Sequence, residues 1–599
     1  MNRIKHIFKR NTIILQTAVS TAAVISISGL IEIYGLFDTI YFNKGVISVA
    51  TFFLFMKMFG IVKKDWTTNK RAAGTAFILS WLLTFTEIFG IGLRLAVNGQ
   101  PVRITPSSIL WMAASSLFLS LPGEIFFFWL LHRGIEAKGT CYTKTKLNRV
   151  FLISWLVVFC SYIPCFLAFY PGLFCYDMIW QWDMFNSGVY NTHHPLIHTL
   201  FSGGLIEIGN GIFGSYNSGL ALHSIVQLLI LSASIAFAIR YLFKIRIPKK
   251  ICIATIVFYI AFPFFPVLGI STTKDVIFGS LLLVVFICIC DMVTNHCIYR
   301  GYHFVFFCIV TILMGLFRNN AVYSLAFTGV CFLFIYVVLL FRKKTSRLLL
   351  NFSIILLCLS IGISGACRLL EKGLHANQGS VAEMLSIPCQ QLARTYVYHG
   401  SEMAPSDKEK LTKYISEDAL TKYKYYVSDP VKAGLDVDYL KKHKKEFIQL
   451  WFKIGKQFSG EYLLAPIYNT MGLWYMGGDS SCYVVYHMSP PFDEKHVVST
   501  QSILPSLRAG YSWFTDTNIQ KSLPVVSLLF YTSFYAWVVI ICIAILIERR
   551  KYLYLIPSAI LLSYMLTLIP GPCTIIRYMM GIMLCVPILV SITFYRDKD

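Results

Sequence analysis

Residues 170–214 read YPGLFCYDMIWQWDMFNSGVYNTHHPLIHTLFSGGLIEIGNGIFG, and whether their second half crosses a membrane decides the fold. The stretch 195–214 is apolar enough to look like a span. If it crossed, the next apolar segment would deliver Arg240, Lys244, Arg246, Lys249 and Lys250 to the outer side. That breaks the rule that Lys and Arg collect in cytoplasmic loops. Gly203, Gly204, Gly209, Gly211 and Gly214 also make it a poor spanning helix, since each interior glycine costs about 1 kcal/mol relative to alanine. The charge pattern therefore predicts that 195–214 lies along the outer interface or re-enters it. Residues 171–216 become one long outer loop containing a juxtamembrane helix.

Working outward, the 599 residues are 56% hydrophobic, 15% aromatic and only 14% charged. Soluble domains carry about 25% charged residues, so soluble, disordered and disulfide-scaffold classes are excluded. The pattern predicts an all-α polytopic membrane protein. Fourteen apolar segments are long enough to read as transmembrane helices, near 12–36, 45–62, 74–96, 106–132, 148–169, 217–239, 251–268, 276–294, 302–317, 320–341, 348–367, 524–547, 552–569 and 575–595. The apolar run behind the basic start Met1–Arg10 is about twice the length of a signal-peptide core, so the first helix is expected to be retained. Both termini are expected in the cytoplasm. The loops assigned to that side, 1–10, 57–71, 133–149, 240–250, 291–300, 342–347, 548–551 and 596–599, together carry +23, the whole net charge of the chain. The basic balance is thus a topology signal and gives no support to nucleic-acid binding.

This reading divides the chain into an N-terminal four-helix membrane unit (1–135), a membrane core (148–367), an extracytoplasmic domain (368–523) and a C-terminal three-helix unit (524–599). The extracytoplasmic piece is a break in composition, with 18 Lys/Arg and 16 Asp/Glu in 156 residues, long enough to hold its own core. It is expected to be mostly α. Most of the 17 cysteines fall inside apolar segments, where they act as small apolar residues. Cys389 and Cys482, both in outer segments, are candidates for a disulfide.

Several ionisable residues sit at outer helix ends. Asp177 falls just after a span in an aromatic-rich loop. It reads either as a helix cap or as a carboxylate of raised pKa suited to base chemistry. In Ser271-Thr272-Thr273-Lys274-Asp275, Asp275 opens the next helix, where the macrodipole alone is reason enough for it. Lys274 reads as a snorkelling lysine or a cation for a ligand. Arg318 falls in an outer turn, and Arg577 just inside a span. An unpaired charge there is expensive, so Arg577 needs Asp177, Asp275 or an anionic ligand as partner. Arginine suits bidentate phosphate recognition. His193, His194 and His198 could join Asp177 or Asp183 at a metal, but no fixed ligand spacing is present. Glu32, Glu87, Arg94 and Glu124 lie in or near the N-terminal spans, pointing to a polar cavity or a pairing network.

The words YPGLFCYD, HHPLIHTL, TTKD, FRNN and IPCQQLAR occur in that order. An early outer Asp, a His-Pro-Leu element opening a juxtamembrane helix, a second outer Asp and a late Arg-Tyr resemble the GT-C superfamily of integral-membrane glycosyltransferases. More narrowly, the chain resembles a group of Gram-positive bacterial membrane proteins related to that superfamily. The resemblance covers roughly 148–595. It implies transfer of a sugar from a polyprenyl-phosphate donor to an envelope glycan, lipid or protein acceptor on the outer membrane face. Asp177 and Asp275 would be the catalytic carboxylates, and Lys274, Arg318 and Arg577 would hold the donor phosphate. His193, His194, Gln181, Tyr578, Gln390, Gln391 and Arg394 would contact substrate. The acidic pair usual beside the first Asp is absent, since Met178 follows Asp177, which leaves the use of a divalent cation in doubt. No other cofactor is implied. A transporter or flippase of a lipid-linked glycan uses similar parts, although no inverted repeat is visible. A non-catalytic accessory protein would tolerate Asn at both aspartates.

Overall fold

A computed structural model describes residues 2–36, 39–43, 45–99, 104–136, 142–174, 176–343, 346–478, 498–499, 501–517 and 519–596. Helices dominate. The sheet among the described residues is a parallel pairing of Ile135–Glu136 with Tyr595–Arg596. Ten helices among these residues are long and apolar enough to cross a membrane, or eleven if the bent pair Pro106–Leu119 and Leu121–His132 is one span. The chain is an all-α polytopic membrane protein.

The count differs from the fourteen segments read from hydropathy, for local reasons. The Lys249–Ala261 helix stops before Phe262-Pro263 and restarts as the short Phe264–Gly269 helix, because proline cannot continue the hydrogen-bond ladder. Tyr302–Phe317, Thr532–Glu548 and Tyr552–Leu566 are apolar but shorter than a full span. Leu196–Phe213, expected along the interface, is helical and passes the length and composition test. Cys482 lies outside the described residues, and with it the proposed disulfide to Cys389.

The molecule has two compact units. One comprises Met1–Gly134, Met471–Asp479 and Ile540–Lys551. Its intramembrane charges have partners. Glu87 accepts a hydrogen bond from the Met476 backbone at 2.9 Å, Arg94 donates to the Gly477 carbonyl, and Glu124 accepts from the Trp66 indole at 2.6 Å. Glu32 is exposed. Met471–Asp479 groups with the N-terminal helices, and residues 368–470 belong to the second unit.

Within that second unit, the charge-rich segment forms its own helical core of Cys389, Leu392, Leu411, Leu420, Val431, Phe447, Leu450 and Ile454. The membrane core is held by caps and close helix contacts. Ser215 caps Tyr216–Lys244, and Thr273 Oγ1 accepts from the Asp275 amide to cap Lys274–Thr294. Each cap satisfies a backbone donor that a helix start leaves unpaired. Lys274–Thr294 is nearly all buried.

Candidate functional site

A buried clamp sets the site. The Gln227 amide, inside the Tyr216–Lys244 helix, donates to the carbonyls of Gly269 at 2.9 Å and Ser271 at 2.7 Å. The turn it holds then pairs with the loop after the Lys144–Ala168 helix. The Leu173 amide donates to the Ile270 carbonyl at 2.9 Å, and the Thr272 amide donates to the Leu173 carbonyl at 3.0 Å. Gly172 sits between them at φ +132°, where an added Cβ would lie 2.1 Å from Ser224 Oγ. Only glycine combines that conformation with that approach. The pairing places the starts of two helices together, Tyr176–Ser187 with Asp177 in its first turn and Lys274–Thr294 with Asp275 in its first turn. Both carboxylates stand where helix dipoles favour negative charge.

Three cations meet them. Asp177 Oδ2 is 3.5 Å from Lys274 Nζ and 3.3 Å from Arg577 Nη2. Arg577 Nε reaches Asp275 Oδ2 at 3.6 Å, and Arg318 pairs with Asp275 Oδ1. Arg577 therefore bridges the two aspartates. Arg318, expected in a solvated turn, is buried. Its guanidinium lies over the rings of Tyr578 at 4.9 Å, Phe278 at 5.4 Å and Tyr564 at 5.6 Å. Arginine tolerates such a site because its planar cation stacks on aromatic faces while pairing in plane. Tyr564 and Phe278 had no sequence signal, being aromatic residues within apolar runs.

Burial disfavours ionised Asp177, but Arg577 and Lys274 outweigh it and hold the carboxyl well below the usual carboxylate range. His194 is buried, and its pKa is pushed down to about 3 by burial and then by Lys274. The ring is neutral, so Lys274 Nζ, 3.4 Å away, donates to Nδ1 and the proton sits on Nε2. That Nε2 is buried with no hydrogen-bond partner. With His194 neutral, two carboxylates and three cations leave the cluster one positive charge in excess.

His194 also lines a cavity of about 450 Å³, with Thr192, Asn319, Tyr323, Arg368 and Glu371 on its walls. Sequence reasoning missed Arg368 and Glu371, which fall just past the apolar segment 348–367.

The remaining expected site residues fall elsewhere. Gln181 is fully buried, and its Oε1 meets His198 Nδ1 at 2.7 Å. It props the Tyr176–Ser187 helix one turn beyond Asp177. His193 is half-exposed, 3.9 Å from Glu383. Tyr578 is a wall of the Arg318 site. Gln390, Gln391 and Arg394 lie in the charge-rich domain and are engaged within it. The Gln390 amide donates to the Lys424 carbonyl, Gln391 donates to the Tyr462 carbonyl and accepts from Trp451, and Arg394 pairs with Glu461 at 2.5 Å. Among the described residues no three His, Cys, Asp or Glu side chains converge. The donor set does not suit a divalent cation, because both aspartates already face Lys or Arg.

Comparison with curated proteins and with solved structures returns no match. Residues 186–599 match a family described as of unknown function, DUF6020, and with more than half of the sequence covered the chain belongs to that family.

Proposed function

We propose that the chain is a membrane glycosyltransferase moving a sugar from a polyprenyl-phosphate donor to a cell-envelope acceptor on the outer face of the membrane. The observation that carries this reading is the convergence of Asp177 and Asp275 with Lys274, Arg318 and Arg577 around one excess positive charge. In this reading 171–216 and 368–523 face outward, and both termini are cytoplasmic.

The chemistry needs two services. Negative charge grows on the leaving phosphate, and fixed cations stabilise it. The acceptor hydroxyl loses a proton as its oxygen attacks the anomeric carbon. The bond from that carbon to the phosphate oxygen breaks, its electron pair stays with the lipid phosphate, and the acceptor proton passes to Asp177. A carboxylate held deep in its ionised range by two cations is a weak base. A donor phosphate that engages Lys274 and Arg577 takes those counterions from Asp177 and raises its basicity. The base is thereby strengthened only when donor is bound. Asp275, locked to Arg318, keeps its partner and positions Arg577. The cavity beside His194 has the size of a small-molecule site. It offers a sugar the His194 Nε2–H donor together with Asn319, Arg368 and Glu371.

The test is envelope glycan composition by mass spectrometry in a deletion strain complemented with wild type or with Asp177→Asn. A sugar lost on deletion is expected to return with wild type and not with the equally expressed variant. Return with both proteins would remove Asp177 from the chemistry and favour transport of a lipid-linked glycan or an accessory role.

A further inference from the structure

A second cavity, an apolar groove of about 580 Å³, lies within the second unit. Its walls include Phe258, Phe262 and Pro263 at the break of the Lys249–Ala261 helix, Leu507 and Tyr511 on the Pro505–Asp516 helix, and Phe530. The Tyr511 hydroxyl is hydrogen-bonded to Cys165, and the other lining residues are apolar. Among the described residues the groove shares none with the charge cluster or with the cavity beside His194.

The groove begins where a membrane span ends. Phe169, at the end of the Lys144–Ala168 span, packs on Tyr511 at 5.7 Å. The Gln501 and Ile503 amides donate to the Tyr170 and Leu167 carbonyls, each at 2.9 Å. The Pro505–Asp516 helix is thereby tied to the end of that span. None of its residues is buried, and Trp513 is 57% exposed. A surface helix with an exposed tryptophan at the end of a span belongs at the headgroup level. Val257, on the wall more than a turn back along its helix, is 54% exposed, so the groove opens sideways. Apolar walls of this kind stay dry, and hydrocarbon fills them.

A cation stands at the rim. The Arg508 guanidinium lies 5.9 Å over the Phe169 ring, the same ring that meets Tyr511. Among the described residues no carboxylate pairs with it. An apolar slot that ends at an unpaired guanidinium has the polarity of one lipid, with hydrocarbon below and a single anion above.

We propose that this groove holds one anionic phospholipid of the bilayer, an acyl chain between the Lys249–Ala261 and Pro505–Asp516 helices and the phosphodiester on Arg508. A guanidinium forks onto the two free oxygens of a phosphodiester. A phospholipid without an ammonium group, such as phosphatidylglycerol, brings one net negative charge to this one cation. A zwitterionic phospholipid carries its own counterion and gains less. A lipid-linked sugar donor does not fit, because its phosphate needs Lys274, Arg318 and Arg577, and none of these lines the groove. A partner's helix, about 10 Å across, is too thick to lie within it. So placed, the lipid braces the Pro505–Asp516 helix against the loop that leads to Asp177. The site stands whether or not the transferase reading does.

The experiment titrates delipidated full-length protein in detergent with phosphatidylglycerol, phosphatidylethanolamine or a polyprenyl phosphate, and counts bound lipid by native mass spectrometry. One phosphatidylglycerol per chain is expected, with phosphatidylethanolamine bound roughly tenfold more weakly. Arg508→Gln is expected to lose roughly tenfold in affinity for phosphatidylglycerol and, with it, the preference between the two. Gly510→Phe tests the slot itself. Gly510 lines it, and a Cβ there meets nothing within 4 Å, so the ring takes hydrocarbon space without a clash. This variant is expected to lose the stoichiometric lipid while the delipidated protein keeps its melting temperature. Unchanged phosphatidylglycerol binding in either variant overturns the proposal. So does equal binding of the two phospholipids, or a polyprenyl phosphate that displaces phosphatidylglycerol from wild type.

Discussion

Burying Asp275 beside Arg318 obliges the protein to keep both, because either charge left alone in that pocket costs several kcal/mol. His194 is the opposite case, a titratable ring kept neutral. Its folded pKa of about 3 lies below the ordinary histidine value, so the unfolded chain binds the extra proton in the interval between the two. Stability on this account is full above about pH 6.5 and falls as the pH drops toward 3. His194→Gln keeps a donor and an acceptor and cannot charge. Between pH 7 and pH 4.5 wild type should lose about 2–3 kcal/mol more than the variant, read by denaturant melts in detergent. Equal losses would show that the ring is not held neutral. Much of the site was legible residue by residue. Asp177, Lys274, Asp275 and Arg577 were marked by charge at a helix end, and the need of Arg577 for an anionic partner, Asp177, Asp275 or a ligand, followed from its place inside a span. Burial of Arg318 was not legible. A turn arginine is ordinarily solvated, and its aromatic walls come from three separate apolar runs.

At the scale of elements, the cluster depends on how closely two helices approach. A Cβ on Gly279 would lie 3.2 Å from the backbone of Gly581, and one on Gly581 would lie 2.8 Å from the Leu282 side chain. Gly279 is on the helix that begins with Lys274 and Asp275, and Gly581 is four residues beyond Arg577. Backbone against backbone leaves nothing flexible to give way. Gly279→Val should force the helices apart, cost about 1–3 kcal/mol and reduce glycan transfer more than expression. Gly362→Val, on a helix where an added Cβ meets nothing within 4 Å, should leave both intact. A tolerated Gly279→Val would mean that the Asp275–Arg577 spacing does not depend on this contact. The positions of most helices were legible from hydropathy, since long apolar runs have one satisfactory backbone solution in a bilayer. Where they end was less so. The break at Phe262-Pro263 was written in the sequence but masked by the apolar residues around it. The packing of Gln390, Gln391 and Arg394 inside their own domain depends on partners 29 to 79 residues away, which no local pattern announces.

For the whole molecule, sidedness turns on Leu196–Phe213. That helix is long and apolar enough to cross, while the charge pattern of the following loops argues that it does not. The two readings exchange the sides of everything between it and the next compensating crossing. If it lies along the interface, the loop at 245–248 is cytoplasmic, with Arg240, Lys244, Arg246, Lys249 and Lys250 beside it. If it crosses, those five cations face outward, at odds with the asymmetry that orients membrane proteins. Fusions truncating the chain at a single loop separate the two. Alkaline phosphatase joined after residue 247 should be inactive, and joined after residue 189 it should be active. A fusion after residue 440, within the charge-rich domain, should be active again. An active fusion at 247 would put the helix through the membrane. It would also tie the number of crossings between 247 and 440 to an even value, against the odd number required when 247 is inside and 440 outside. The cluster at Asp177 and Asp275 constrains the answer independently. Leu173 and Ile270 are hydrogen-bonded to each other, so the ends of the loops carrying the two aspartates share one side of the bilayer. Between Asp177 and Asp275 the chain must therefore cross an even number of times. Tyr216–Lys244 is one crossing, so the second comes either from Leu196–Phe213 or from the broken pair Lys249–Ala261 and Phe264–Gly269. The positive loops favour the broken pair, and the phosphatase at residue 247 decides between the two, since it is inactive there only if Leu196–Phe213 does not cross.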